Sequence, residues 1–295
     1  MSASARPAVI GVIGGSGVYD MDGLAEAEWR RIDSPFGAPS DQVLCGRLGA
    51  TRLVFLPRHG RGHVHSPSTI NYRANIDVLK RAGCTDVISI SACGSFREDL
   101  APGTFVIVDQ FIDRTFARNK SFFGAGLVAH VSMAHPVCRR LGDALAAAAA
   151  DLGIQTIRGG TYLAMEGPQF SSLAESELYR QWGCDVIGMT AMPEAKLARE
   201  AELCYATIAM VTDYDCWHPD HDAVEVGAVI QMLLANAAHG RDLVRRAAPA
   251  LAERPVPCVQ GCDRVLDAAL ITAPEARDPA ALARLDAIAG RVLAG

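Results

Sequence analysis

The 295-residue chain has a formal net charge of −5, with 50% hydrophobic and 21% charged residues. That supplies a large core and rules out a disordered chain; it also argues against a dedicated nucleic-acid surface, which carries a basic excess, while leaving room for a small anion held by a few donors. Nine cysteines, scattered singly, point to reduced thiols in the cytoplasm, and neither the polar start Met1–Pro7 nor any apolar run reads as a signal peptide or a bilayer span.

In chain order, Val9–Ile13 reads as a buried strand running into Gly14-Gly-Ser-Gly17. Val43–Leu48 and Arg52–Leu56 form a hairpin around Gly49-Ala50, and its second strand ends on Pro57-Arg-His-Gly60. Asn71–Ala82 is a helix, with Ile76 and Leu79 on its apolar side, Lys80 and Arg81 late, and Gly83 as its stop. Strands Val87–Ser91 and Phe105–Val108 follow, then an irregular stretch from Phe116 to His130 that suits a lid or a subunit contact. Pro136–Leu152 is an alanine-rich helix, Gly160–Ala164 a strand leading into Glu166-Gly-Pro168, and Ser172–Trp182 a helix. A short strand Val186–Met189, a helix Pro193–Ala201 with proline in its first turn, a strand Cys204–Val211 and a periodic helix Val224–Ala238 come next. Beyond Pro255 a linker precedes a last helix starting at Asp278 and Pro279. Strands alternating with helices, without an internal repeat, give an α/β fold around a central, largely parallel or mixed sheet.

In open α/β sheets ligands sit beyond the carboxyl ends of the strands. The glycines of Gly14–Gly17, Ser16, Arg58, His59 and Ser91 all fall at such ends and together suit an anion. Each has a plainer alternative: a simple turn at Gly14–Gly17, and a surface salt bridge at Arg58. The glycine run is a poor dinucleotide fingerprint, because Asp20 stands at the third glycine position. Ile208–Asp215 runs as an apolar strand and delivers Asp213 and Asp215. On a regular strand both carboxylates face one side, where like charge in an apolar pocket raises one pKa; the alternative is a turn with Asp213 capping and Asp215 solvated. His59, His63 and His65 invite a metal reading, but Gly60 and Gly62 discourage the helix that would align them, and no metal site is expected. Cys258 and Cys262, four apart with no second pair, read as incidental packing, and Cys93 as an inert buried thiol. Val226, Val229 and Ile230 read as core packing or as an apolar wall against a ligand.

Taken together, Ile13-Gly-Gly-Ser-Gly17, Asp33-Ser-Pro-Phe-Gly37, Pro57-Arg-His-Gly-Arg61, Asn71-Tyr-Arg-Ala-Asn75, Ser91-Ala-Cys-Gly-Ser95, Asp109-Gln-Phe-Ile-Asp-Arg114, Glu166-Gly-Pro168 and Thr212-Asp-Tyr-Asp-Cys-Trp217 resemble the 5′-methylthioadenosine phosphorylase family, within the trimeric purine nucleoside phosphorylases. The resemblance is colinear over residues 8–250. It implies a single-domain nucleoside-phosphorylase-like fold, a central mixed β-sheet flanked by helices, with residues 251–295 as a linker and helix packed on the same domain. The implied reaction is phosphorolysis of S-methyl-5′-thioadenosine by inorganic phosphate, part of purine and methionine salvage, with phosphate as co-substrate and no cofactor. By matching position, Ser16, Arg58, His59, Ser91, the Ala92 amide and Thr190 would hold phosphate. Asp213 would serve the base at N7 as general acid, Asp215 would accept from the 6-amino group, Phe170 would stack on the base and Met189 would lie along the sugar. Val226, Val229 and Ile230 would line the methylthio pocket, with His130 reaching it from a neighbouring subunit of a homotrimer.

A broader purine nucleoside or methylthioinosine phosphorylase is the nearest rival. A nucleoside-binding protein without turnover and a nicotinamide-dependent dehydrogenase are the others, and Asp20 already speaks against the last.

Overall fold

The structure is a computed structural model. It describes residues 4–293 except 16 and 220–225, and not the side chains of 226, 228–230, 233 and 235. Among these residues the strands are β1 Ser4–Pro7, β2 Val9–Gly14, β3 Ala25–Arg30, β4 Val43–Leu48, β5 Thr51–Pro57, β6 Asp86–Ser95, β7 Phe105–Ile107, β8 Gln110–Asp113, β9 Thr156–Arg158, β10 Thr161–Ala164, β11 Val186–Gly188, β12 Cys204–Asp213 and β13 Glu253–Val256. The helices are α1 Tyr72–Arg81, α2 Arg139–Asp151, α3 Leu173–Gln181, α4 Ala191–Glu200, α5 Val226–Ala247, α6 Pro279–Arg284 and α7 Asp286–Leu293. No helix among them is long and apolar enough to cross a membrane.

An 11-stranded mixed sheet forms the centre, with the order β3-β4-β5-β2-β6-β11-β10-β8 and a branch at β6. β6 takes parallel β12 along its length and parallel β2 along its first half, while antiparallel β11 joins at Gly94 and Ser95. Strands β2, β6 and β12 are buried almost throughout. This is the pattern of parallel strands covered on both faces, and it explains why they read as unbroken apolar runs. Two large apolar clusters fill the molecule, one holding Ile76, Leu79 and Leu197, the other Leu141, Leu145 and Leu243.

Local chemistry sets the helix ends. Asn71 caps α1 by accepting from the Ala74 amide at 3.1 Å, Ser172 and Glu175 form a reciprocal capping box on α3, and Asp278 caps α6 at the expected place. Regular helix in α4 begins at Pro193, because Met192 has extended backbone. α2 starts at Arg139 rather than Pro136, and α5 runs on to Ala247 rather than Ala238.

Three readings need correction. The chain start was read only as a polar lead-in, but it pairs, β1 against β13, with the residues just before the expected linker in a separate two-stranded sheet. The charged edge strand β3 was not expected; its alternating Ala-Glu-Ala-Glu-Trp-Arg is mostly exposed, with Trp29 alone half-buried against the core. Third, Cys258 and Cys262 are not incidental: the sulfurs of Cys138, Cys204, Cys258 and Cys262 all lie within 4.8 Å of one another, buried. The tail also joins the main core, through Leu266, Leu285 and Ile288, and is tied to it where Glu202 receives the Leu266 amide at 3.0 Å and the Arg291 guanidinium at 2.6 Å.

Candidate active site

The parallel strands β5, β2, β6 and β12 lie side by side, so their carboxyl ends open on one rim. The segments leaving that rim, together with those after β10 and β11, line one cavity of about 280 Å³. Arg58, His59, Ser91, Ala92 and Thr190 line it, and so do Phe170, Met189, Asp213 and Asp215. His130 does not; it lies on another depression with Lys120, Phe123 and Val131. Ser16 and the side chains of Val226, Val229 and Ile230 lie outside the described residues.

The two acids do not share a face of a regular strand. The β12 pairing with β6 slips between Val211 and Asp213, so Asp213 ends opposite Gly94. Asp215 then takes a left-handed backbone with φ of 54°. Asp213 Oδ1 accepts from the Asp215 amide at 2.8 Å, and its Oδ2 accepts from the Thr212 hydroxyl at 2.6 Å. Burial is the main reason both carboxyls are pushed above the usual carboxylate range. The neighbouring charge of Asp213 adds a smaller push on Asp215. The expected proton retention therefore comes chiefly from desolvation rather than from like-charge repulsion.

Gly94 makes this arrangement possible. A Cβ there would sit 2.8 Å from Asp213 Oδ1, 3.2 Å from Ile187 and 3.3 Å from the Asp215 Cβ. Gly94→Ala should displace the Asp213 carboxylate and lower kcat/KM by roughly a hundred-fold, the effect of a misplacement near 1 Å. Steady-state kinetics with a circular-dichroism melt would check this; wild-type turnover would mean the site tolerates the shift.

On the other side of the rim, Arg58 is fully buried rather than a surface charge. Its Nε and one Nη bond the two oxygens of buried Glu194 at 3.0 and 3.2 Å. The remaining contacts are with the Ile90 and Ile13 carbonyls and the Ser89 hydroxyl. Of the five N–H donors of a guanidinium, that leaves one, on Nη1, for a ligand. Arg58 thus offers a ligand its positive charge and a single donor. Glu194 is held in turn by the Tyr205 hydroxyl at 2.9 Å.

His59 was expected to donate to an anion; its hydrogen bonds show otherwise. Its Nδ1 lies 2.9 Å from the His65 carbonyl, which can only accept, so Nδ1 carries the hydrogen and Nε2 the lone pair. The ring stacks on His63 with centroids 4.2 Å apart, a packing arrangement rather than a chelating one. Burial, with the charge of Arg58 adding, holds the His59 pKa down to about 4. A lowered pKa means the folded state binds this proton less readily than the unfolded chain. The associated stability is full above about 6.5 and is lost as pH falls towards about 4. Taking the protein from pH 7 to pH 5 should therefore cost roughly 1–2 kcal/mol through this residue. Urea melts of wild type and His59→Asn at both pH values test this, since equal pH slopes would acquit His59.

Ser91 Oγ and Tyr162 Oη are both buried and lie beside each other, with no close hydrogen bond to any other group. A buried hydroxyl held this loosely can turn to a ligand in the cavity. Ser91 lines the cavity, and Thr190, at the start of α4, does not spend its hydroxyl on capping that helix.

Sequence reasoning missed several supports. Buried Arg118 pairs with Glu166 at 3.1 Å and bonds the Met192 carbonyl at 2.7 Å and the Met189 carbonyl. Glu166 also receives Ser68 Oγ at 2.6 Å and the Phe116 amide at 2.8 Å. This network ties the segment before Phe170 to Met189. A charged Arg–Glu pair 48 residues apart leaves no local pattern to find.

The Phosphorylase superfamily model matches residues 9–247. The S-methyl-5′-thioadenosine phosphorylase of Cereibacter sphaeroides is 64% identical over 97% of this chain and 99% of its own, and that of Rhodospirillum rubrum is 64% identical over 99% and 100%. Among solved structures, a methylthioadenosine phosphorylase from an antarctic soil metagenomic library superposes with a TM-score of 0.89 at 44% identity, covering 96% of this chain and 99% of that one. A methylthioadenosine phosphorylase from Schistosoma mansoni in complex with adenine gives 0.79 at 38% identity, over 83% and 91%. The cavity with its paired acids and buried Arg58 therefore sits in a nucleoside phosphorylase fold, and the chain belongs to the S-methyl-5′-thioadenosine phosphorylase family of the Phosphorylase superfamily.

Proposed function

We propose that this protein cleaves S-methyl-5′-thioadenosine with inorganic phosphate, giving adenine and 5-methylthioribose 1-phosphate. The observation that carries the reading is one cavity lined both by the charge of Arg58 with the buried hydroxyl of Ser91 and by two protonation-prone carboxyls. His59 follows β5 and Asp213 ends β12, three strand spacings or about 14 Å apart along the rim, and both side chains turn into the one cavity where phosphate and base must meet at C1′.

In this reading Ser16, Arg58, Ser91, the Ala92 amide and Thr190 donate to phosphate oxygens, and His59 Nε2 accepts the hydrogen of hydrogenphosphate. A phosphate oxygen bonds C1′ as the glycosidic C–N bond breaks, and its electron pair passes to the purine. Asp213 gives its proton to N7, offsetting that charge. Asp215 accepts from the 6-amino group, Phe170 stacks on the base and Met189 supports the sugar. Val226, Val229 and Ile230 line the methylthio pocket, with His130 contributed by a neighbouring copy in a homotrimer. The reaction calls for no cofactor, serves purine and methionine salvage and belongs in the cytoplasm. Residues 251–295 complete the single domain of residues 8–250.

The decisive experiment is a product assay with methylthioadenosine, with and without phosphate. Adenine release that depends on phosphate is the expected result; tight nucleoside binding without adenine would turn the protein into a binding module. Adenosine, inosine and methylthioinosine run in parallel separate the narrow enzyme from the broader one.

A further inference from the structure

At the opposite end of β12 from Asp213, four cysteines from separate parts of the chain converge. Cys138 immediately precedes α2, Cys204 opens β12, Cys258 follows β13, and Cys262 begins a short 3-10 turn. All four are buried, none is in a disulfide, and their sulfurs lie within 4.8 Å of one another. The Cys204 and Cys258 sulfurs are 3.7 Å apart. A tetrahedron of thiolates around zinc, with Zn–S near 2.3 Å, has edges of about 3.8 Å. Buried thiols that merely fill space have no reason to turn all four sulfurs to a common centre.

The surrounding structure fixes the four. Gly261 has φ of 67°, and its amide donates to the Cys258 carbonyl at 2.8 Å, folding Cys258 and Cys262 back on each other. Gln260 reaches across to the start of α2, accepting from the Arg139 amide and donating to the Val137 carbonyl at 3.4 Å, on either side of Cys138. Asp263 accepts from the Cys258 amide at 2.9 Å and pairs with buried Arg254. The Cys138 amide donates to the Tyr205 carbonyl at 2.8 Å, and the Cys204 amide to the Thr85 carbonyl at 3.0 Å.

We infer that Cys138, Cys204, Cys258 and Cys262 bind one zinc ion as a closed, structural tetrathiolate site that fastens the tail to the start of β12 and to α2. Binding exchanges four thiol protons, released to solvent, for four Zn–S bonds. Four sulfur ligands leave no open position for a substrate or water. Cys204 also lies nine strand residues, about 30 Å, from Asp213.

Elemental analysis of protein purified without chelator, from cells grown with zinc, should find one zinc per chain. The metal-depleted protein, given cobalt(II) under reducing conditions, should show the visible absorption of a tetrahedral tetrathiolate. Cys262→Ser should lose the metal and melt at a lower temperature with kcat unchanged below that melt, whereas Cys45→Ser should keep the metal. Should the variant fail to fold, the wild-type metal content and cobalt spectrum still decide. Wild type that stays metal-free in added zinc with reduced thiols, or whose intact mass shows these cysteines joined in disulfides, overturns the inference.

Discussion

Asp213→Asn is expected to lower kcat for methylthioadenosine by about 10²–10⁴-fold, the usual worth of a positioned general acid, with little loss of stability. The environment of Asp213 accommodates the amide. Its Oδ1 can go on accepting from the Asp215 amide. The new NH2 can donate to Thr212 Oγ1, which then turns its own hydrogen to the Cys93 carbonyl, 3.1 Å away. No buried group loses its partner, so a fall in rate reports chemistry and not unfolding. The variant should also discriminate less against 6-oxopurines, since an amide can satisfy a carbonyl that a carboxylate repels; roughly 1–3 kcal/mol of selectivity is at stake. Wild-type kcat/KM should fall as pH rises through the raised pKa of Asp213, and the variant should lack that limb. Unaltered kinetics in the variant would remove Asp213 from proton transfer.

The acids were legible because an apolar strand that stops on carboxylates is a local pattern. Their geometry was not. The slip in pairing at Thr212 and the left-handed backbone at Asp215 depend on what β6 presents opposite, above all Gly94. The parallel core strands were legible for the same reason as the acids: burial on both faces leaves continuous apolar runs. β1 and β13 left no such trace, because β1 is exposed and β13 buries only the charged Arg254, so neither shows an apolar pattern. Long-range pairings escaped for a common cause. Glu194 lies 136 residues from Arg58, and Cys258 lies 54 residues from Cys204, so spacing rules built for local motifs pass over both. At His59 a backbone carbonyl six residues on decides which ring nitrogen keeps the hydrogen, and no sequence pattern carries that.

Removing Arg58 should produce the largest loss of stability at this site and, separately, a loss of phosphate affinity. Arg58→Ala strands the carboxylate of Glu194 in a buried position with only the Tyr205 hydroxyl donating to it. Breaking one side of a buried ion pair costs about 3–5 kcal/mol. A rise in the phosphate KM measured on that variant alone would therefore mix folding with binding. Arg58→Met combined with Glu194→Gln resolves the two, because it removes both charges together and keeps most of the packed volume. Its melting temperature should recover much of the loss, as paired replacement of buried ions by neutral groups generally allows. The phosphate KM should stay raised by roughly ten- to hundred-fold, the worth of a hydrogen bond to a charged group, with the nucleoside KM changed far less. If the double variant regains wild-type phosphate KM along with its stability, Arg58 is a structural cation whose charge the anion never feels. If phosphate and nucleoside KM rise together, the residue shapes the cavity as a whole. Only the split between them places its one remaining N–H on phosphate.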